Sequence, residues 1–454
     1  MKYPRYPKYK DSGIEWIGEI PEAWNQGRIK NIASSIGSGG TPDTSNEKFW
    51  TDSEAGIPWV AIGDMSNVTQ LEYTEKCITD LALEQKNLKV WPIGTLLFSM
   101  YASLGHVTEL RKPAAINQAI LAITPIKSFD KNFLVYWFNF MKPYLSKFAS
   151  TNTQDNLNLE KVRGLPVLFP PSEEQKEISI FLSRMSEKLD LLVSKQIRMI
   201  ELLKEKRQAI ITHAVTKGLD PNVPMKDSGI EWIGEIPEHW KVVRIKSAAT
   251  LNPSKSEIKD YSGDTLVSFF PMESVGDDGT LDFSTTRPIS EVKNGYTYFK
   301  NGDVVVAKIT PCFENGKGAI MDELTPEIGF GTTELIVIRP TKIMNQSFLY
   351  FLSETGVFRR LGEGSMYGAA GQKRVPEEFV ANFKFGLPPL SEQIQISQYI
   401  KSELHKLDEL NLKQQKMITL LTEHRASLIS QAVTGKIDVR GLIQEVSGSA
   451  RQTP

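Results

Sequence analysis

Residues 170–220 read PPSEEQKEISIFLSRMSEKLDLLVSKQIRMIELLKEKRQAIITHAVTKGLD, and residues 388–438 read PPLSEQIQISQYIKSELHKLDELNLKQQKMITLLTEHRASLISQAVTGKID. The two copies align without a gap. Pro170, Pro171, Glu174, Gln175, Ile178, Ser179 and Lys188-Leu189-Asp190 recur as Pro388, Pro389, Glu392, Gln393, Ile396, Ser397 and Lys406-Leu407-Asp408, and Ala214-Val215-Thr216 recurs as Ala432-Val433-Thr434. A repeat of this length means that one architectural unit is used twice. From Ser172 to Thr216 there is neither Gly nor Pro, which predicts one helix of about 65 Å at about 1.5 Å per residue. The Pro-Pro pair stands before it, where proline is tolerated, and Gly218 and Gly435 stand where a helix stops. Apolar residues step by four and three along both copies: Met185, Leu189, Leu192, Met199, Leu203 and Ile210, then Leu407, Leu410, Met417, Leu421 and Leu428. This is a seam of period 3.5, interrupted at the same place by Gln196 and Gln414, and it predicts that the two helices pair as a coiled coil.

The repeat extends upstream. KDSGIEWIGEIPE at Lys10–Glu22 is repeated without change at Lys226–Glu238, followed by Trp24 and Trp240 at the same spacing. The chain is thus two half-chains in tandem, each with a lead-in, a globular head and a long helix. The link KGLDPNVPMK is rich in turn formers. Gly435-Lys436-Ile437-Asp438 resembles the start of that link, so the layout is a cycle cut once, with its two ends expected side by side. The lead-in tryptophans with Ile14, Ile17 and Ile20 read as core material. An identical surface motif on both halves also suits two copies of one partner. The tail VSGSARQTP is small and polar, and disorder is expected there.

The heads, about 25–169 and 241–387, share no comparable identity. Residues 57–62 and 94–98 in the first, and 303–308 and 334–338 in the second, read as strands; 131–145 and 345–361 read as helices. A repeated scaffold carrying diverged heads is the pattern of a bivalent reader of two different things.

Composition narrows the chemistry. The 454 residues carry 53 basic and 54 acidic side chains, a formal charge of −1, so any nucleic-acid surface is local. Two separate cysteines, Cys77 and Cys312, give no disulfide or zinc framework and suit the cytosol. No secretory or membrane-spanning stretch is found. PCFENGKG at Pro311–Gly318 lacks the first Gly and the hydroxyl residue of a P-loop. Asn252-Pro253-Ser254-Lys255 lacks the second Pro and the aromatic of an amino-methyltransferase signature. The five histidines show no metal-ligand spacing, and a non-catalytic chain is expected.

Polar, glycine-containing loops are the stronger signal. The first head offers Ser38, Gly39 and Thr41, Tyr101 and His106, Asn117 and Gln118, and Asn152 and Gln154. The second offers Lys308, Thr310, Asn315 and Lys317, Thr333, and Gln372, Lys373 and Arg374. Asn and Gln pair with adenine, Arg and Lys with guanine, Ser and Thr with phosphate or bases, and glycine admits a phosphate close to backbone amides. These seventeen residues are the candidate DNA contacts.

The paired Pro-Pro-x-x-Glu-Gln helix starts, the Ala-Val-Thr helix ends, the IGEIPE-x-W lead-ins, GGTP (Gly39–Pro42) with IPWV (Ile57–Val60), and GDVVVAKITPCFENGK (Gly302–Lys317) together resemble the specificity subunit of a type I restriction–modification enzyme, over essentially the whole chain. The resemblance implies an α+β fold with a pseudo-two-fold repeat: two mixed α/β target-recognition domains separated by two long antiparallel helices forming a coiled coil. On that reading residues 1–169 hold the first lead-in and recognition domain and 170–216 the first long helix. A linker spans 217–225, the second lead-in and domain 226–387, the second helix 388–434 and the tail 435–454. It also implies double-stranded DNA with a bipartite, asymmetric target, two methyltransferase subunits and translocase-nuclease subunits as partners. S-adenosylmethionine, ATP and Mg²⁺ are then held by those partners and no cofactor by this chain. The near-neutral charge departs from what DNA binding by this chain alone would favour. Two other readings stay open: a coiled-coil adaptor whose heads bind proteins, and a stand-alone DNA-modifying enzyme, which the missing methyltransferase motif disfavours.

Overall fold

The computed structural model describes residues 3–52, 56–66, 68–101, 103–148, 157–368 and 372–442. Asn152, Gln154 and the 446–454 tail lie outside them. The long helices are Ser172–Lys217 and Leu390–Val433, and Gly218 and Gly435 end them with φ of 76° and 69°, the left-handed conformation a glycine adopts without strain.

The chain forms two compact units that do not coincide with the two half-chains. The first is 1–195 with 417–454; the second is 196–416. Each unit therefore holds one head, the near part of that head's helix and the far part of the other helix. In the first unit Phe181 and Leu182 share a core with Leu428, Ile429, Ala432 and Val433, and Arg425 pairs with Asp190 at 2.6 Å. In the second, Ile211, Ala214 and Val215 share a core with Ile396, Ile400, Leu404 and Leu407, and Arg207 pairs with Asp408 at 3.0 Å. The two ion pairs occupy repeat-equivalent positions. In the second unit Gly218, ending one helix, lies against Glu392, beginning the other, while the earlier Arg207 meets the later Asp408. The helices run antiparallel.

The seam is only half as expected. One heptad line faces the partner helix: Leu189, Leu407 and Leu428 are buried, and Leu203, Ile210 and Leu421 are partly so. Along the other line Met185 packs half-buried against the first head's core, and Leu192, Met199, Leu410 and Met417 stand exposed. A 3.5 period marks two lines of residues, and a helix pair whose contact is one line wide buries only one of them.

The repeated helix starts have a mechanical role. Trp24, wholly buried, donates its indole N–H to Glu174 at 3.0 Å, and Trp240 donates to Glu392 at 3.1 Å. Gln175 accepts the backbone N–H of Asp130 at 2.8 Å and Gln393 that of Asn345 at 2.8 Å, while their amides donate to Pro170 and Pro388. Asp130 and Asn345 are in turn the N-caps of head helices Lys131–Met141 and Gln346–Ser353. Glu and Gln of one motif thus hold the lead-in and the head to the long helix in both units. Trp24 and Trp240 are core residues, while Trp16 and Trp232 pack half-buried against the cores, Trp16 stacked on Tyr144 at 4.5 Å. The cyclic layout is met within the first unit, where Asp438 donates its N–H to Pro4 at 2.8 Å and Tyr9 its hydroxyl to the Gly435 carbonyl at 3.1 Å.

Helix 131–145 is α only to Met141 and continues as a 3₁₀ turn, because Pro143 lacks an N–H. Helix 345–361 is broken at Ser353 and restarts at Gly356 with Thr355 as its cap.

The two heads share their central strand pairings despite their different sequences, and differ at the sheet edges. Each enters and leaves through a two-stranded staple: Asn25–Arg28 with Pro166–Phe169, and Lys241–Arg244 with Lys384–Leu387. Each has a main sheet. In the first head its order is Ala33–Ser38, Ile120–Pro125, Leu96–Ser99, Val107–Leu110; in the second it is Ala249–Leu251, Leu335–Pro340, Asp303–Ala307, Gly318–Met321. The first head adds Gln70–Leu71 at the edge. Each also has a second sheet, smaller in the first head and equal in strand number in the second, with one parallel pair, Ile57–Val60 beside Ala115–Ile116 and Leu266–Phe270 beside Ile328–Gly331.

Candidate nucleic-acid interface

The polar loops gather where the chain crosses from the second sheet to the main one. Backbone hydrogen bonds align the two heads there residue by residue. Asn117 donates its N–H to Val60 at 3.0 Å and Ile120 to Asn117 at 3.1 Å; Thr332 donates to Phe270 at 3.1 Å and Leu335 to Thr332 at 3.3 Å. Met100 donates to Ala119 at 3.0 Å, as Lys308 does to Glu334 at 2.8 Å. Leu157 donates to Met100 at 3.3 Å, as Val375 does to Lys308 at 2.8 Å. Asn117-Gln118 and Thr332-Thr333 are therefore the same loop, Tyr101 and Lys308–Thr310 begin the same loop, and Leu157 and Val375 occupy equivalent places beside it. Loops read separately from the sequence form one rim, built the same way twice.

In the first head Ser38 is exposed at the end of its strand. Gly39 has no room for a side chain, since a Cβ would collide with the Ile116 carbonyl. Gly40 donates to that carbonyl at 2.9 Å and accepts the Trp59 indole N–H at 3.0 Å, so GGTP and IPWV meet here. Thr41 donates its hydroxyl to the Gln118 side chain. Tyr101 is half-buried, and its carbonyl accepts from Ser99. His106 places Nε2 3.1 Å from the Val68 carbonyl, which ties its ring to the head.

In the second head Thr333, Asn315, Gln372 and Lys373 are exposed. Thr310 donates its hydroxyl to Glu314 at 3.2 Å. Lys308 faces a cleft of about 200 Å³ lined by Asn252, Lys255, Tyr298 and Thr333, and its ammonium makes no hydrogen bond or ion pair among the described residues. Lys317 and Arg374 are placed otherwise: Lys317 donates to the Met272 carbonyl at 3.0 Å, and Arg374 forks onto Glu334 at 2.7 and 2.9 Å. Those bonds hold the Glu334 carboxyl below its ordinary range against the opposing effect of its burial. A depressed carboxylate contributes stability above its unfolded pKa and loses it as pH falls through the folded value. Replacing Arg374 with Ala is expected to lower the thermal midpoint near neutral pH. The gap from the parent should close as pH drops below about 4, near the free carboxylate range. A gap unchanged by pH would show that the clamp makes no such contribution.

Asn252 and Lys255 belong to the rim and were not among the residues the sequence singled out. Their stretch drew notice only as an incomplete methyltransferase signature. The usable signal was position: it follows the first strand of the main sheet, as Gly39–Pro42 does. Among the described residues no cluster could hold a metal ion, and no helix is long and apolar enough to cross a membrane.

The type I restriction modification DNA specificity domain matches this chain twice, over residues 21–202 and 237–420. The chain belongs to that family. It is 39% identical over 194 residues to the type I restriction enzyme EcoAI specificity subunit of Escherichia coli, a match covering 42% of this chain and 32% of that protein. The EcoEI specificity subunit of the same organism is 38% identical over the same shares, so the matched part spans about a third of the length of these two relatives. A putative specificity subunit, MjaX of Methanocaldococcus jannaschii, is 25% identical over 93% of this chain and 96% of its own. Among solved structures, one described as the structural basis of complex assembly and conformational transition of the type I R-M system gives a TM-score of 0.67, at 14% identity over 91% of this chain and 98% of that one. The HsdS subunit from Thermoanaerobacter tengcongensis gives 0.54 at 14% identity, over 92% and 98%. Both likenesses concern the fold.

Proposed function

We propose that this chain is the DNA-reading specificity subunit of a type I restriction–modification complex. Each head reads one part of a bipartite target, and the target is asymmetric because the rims carry different residues. The carrying observation is that the two heads build the same rim on the same hydrogen bonds with different side chains on it. The chain itself supplies recognition without catalysis, in the cytosol. Two methyltransferase subunits and translocase-nuclease subunits bring S-adenosylmethionine, ATP and Mg²⁺.

The exposed heptad line supports the pair of methyltransferase partners. Leu192, Met417 and Leu420 stand exposed in the first unit, and their repeat equivalents Leu410, Met199 and Leu202 in the second. Each unit thus offers the same apolar positions, suited to two copies of one protein.

The test is to express the chain with its methyltransferase subunits in a methylation-free host and sequence the modified DNA. One new asymmetric bipartite motif is expected. A complex that forms yet marks no sequence would point to a protein-binding adaptor, and methylation by this chain alone would overturn the non-catalytic role.

A further inference from the structure

We propose that Gln118 and Thr333 are the equivalent base-reading positions of the two heads, and that Thr41 is a positioning residue for Gln118; this rests on the DNA-reading function proposed above. The argument is one of elimination on a shared turn. In the first head the side-chain oxygen of Asn117 accepts the N–H of Ala119, two residues on, and in the second the hydroxyl oxygen of Thr332 accepts the N–H of Glu334 at 3.3 Å. The first polar side chain of each turn is therefore engaged in making the turn. The third residue is held from its carbonyl, by Met100 N–H in one head and Lys308 N–H in the other. Of the three residues in each turn the middle one is the exposed one, Gln118 and Thr333, while its neighbours are half-buried and the Glu334 side chain is held by Arg374; the ends of both turns are fixed to two sheets. A polar side chain on a turn held at both ends suits base discrimination, because its backbone is placed before the ligand arrives.

The two heads orient this residue differently. In the first, Thr41 donates its hydroxyl to the amide oxygen of Gln118. That occupies the acceptor from one side and leaves the amide N–H₂ as the group offered outward, toward an acceptor on a base edge such as adenine N7 or guanine O6. In the second, Thr333 lines the same cleft as Lys308, whose ammonium is within electrostatic reach of Glu334 but bonded to no carboxylate among the described residues, and a hydroxyl and a cation on one cleft suit the two adjacent acceptors of guanine. The exchange of Gln for Thr at one fold position accounts for different half-sites without any change of scaffold.

The experiment measures methylation of a target library by the complete methyltransferase complex carrying Gln118→Thr, Thr333→Gln or Thr41→Val. Gln118→Thr is expected to relax or change one base of the first head's half-site, by roughly 5- to 150-fold in relative rate, with the other half-site untouched. Thr333→Gln should do the reverse. Thr41→Val should lower discrimination at the same base as Gln118→Thr while leaving binding to DNA that lacks the target, and its salt dependence, unchanged. Both reading positions are exposed, so unaltered thermal unfolding of the variants is expected. Unchanged half-sites in both single variants, with the parent complex methylating its bipartite target normally, would overturn the assignment of these positions. A parent complex that marks no sequence would instead overturn the DNA-reading function itself.

Discussion

Exchanging residues 25–169 for the equivalent region of a relative is expected to replace one half of the recognised sequence entirely and leave the other half as it was. The cut points are favourable because they fall on the outside of one structural staple. Asn25 pairs with Phe169 and Arg28 with Pro166, so the exchanged segment carries both of its boundary strands and their ladder with it. The groups that must receive the new head lie outside the cut, on the long helix: Gln175 and Ser179 for the cap of the first head helix, while Trp24 and its acceptor Glu174 both stay with the host chain. A donor head therefore needs an Asp, Asn, Ser or Thr at the position of Asp130 to dock. Methylation-site sequencing with the partner subunits reads the result directly. If both half-sites changed together, the heads would not be separate readers.

The second large effect is on stability, and it is unequal between the two repeats. Glu174 is buried and accepts from both the Trp24 indole and the Tyr6 hydroxyl, which are buried too. Burial and the bonded carboxylate push the Tyr6 phenol above its ordinary range, which keeps it a donor. Glu174→Ala orphans both donors, at about 1–3 kcal/mol each, a total of about 2–6 kcal/mol. Glu392 accepts from Trp240 and meets His239, but its own side chain is 24% exposed and that of His239 46%. There the histidine can turn to water, and Glu392→Ala should cost about 1–3 kcal/mol. Urea unfolding followed by tryptophan fluorescence compares the two variants. Glu174→Gln, which keeps an acceptor, should recover most of the loss. Equal losses for the two alanine variants would show that the shared motif, and not the local burial, sets the energy.

Much of this architecture was legible because duplication printed it twice. Two helices of the observed length, their stops at Gly218 and Gly435, the cyclic layout and the buried tryptophans all follow from repeated residues whose preferences are local. The partners of those residues were not legible. Trp24 and Glu174 are each conspicuous, yet nothing local says that a residue 150 positions away accepts the indole proton. The heptad pattern could not say which of its two lines faces the other helix, and Leu192 and Met199 turned outward. In the heads the difficulty is deeper. Their common fold is carried by backbone hydrogen bonds such as Asn117 to Val60 and Thr332 to Phe270, which place no demand on side-chain identity. Residue chemistry picked out Arg374 and Lys317 for their charge but could not show that both are engaged by their own head, nor that the Asn117 side-chain oxygen closes its own turn.

The first unit draws part of its core from Leu428, Ile429, Ala432, Val433, Ile437 and Val439. On the ribosome these residues emerge well after the head they complete. Between the translation of Leu182 and that of Leu428, at roughly 5–20 residues per second, something on the order of ten seconds or more must pass. For that interval Ile178, Phe181 and Leu182 lack the part of their core that the second helix supplies. The second unit draws only on residues 196–416, so every contact it requires is already synthesised while the first still waits. The head made first is thus the one finished last. A nascent chain of this design stands to gain from a chaperone that holds its leading part, and a premature stop near residue 420 would leave the trailing head whole and the leading one open.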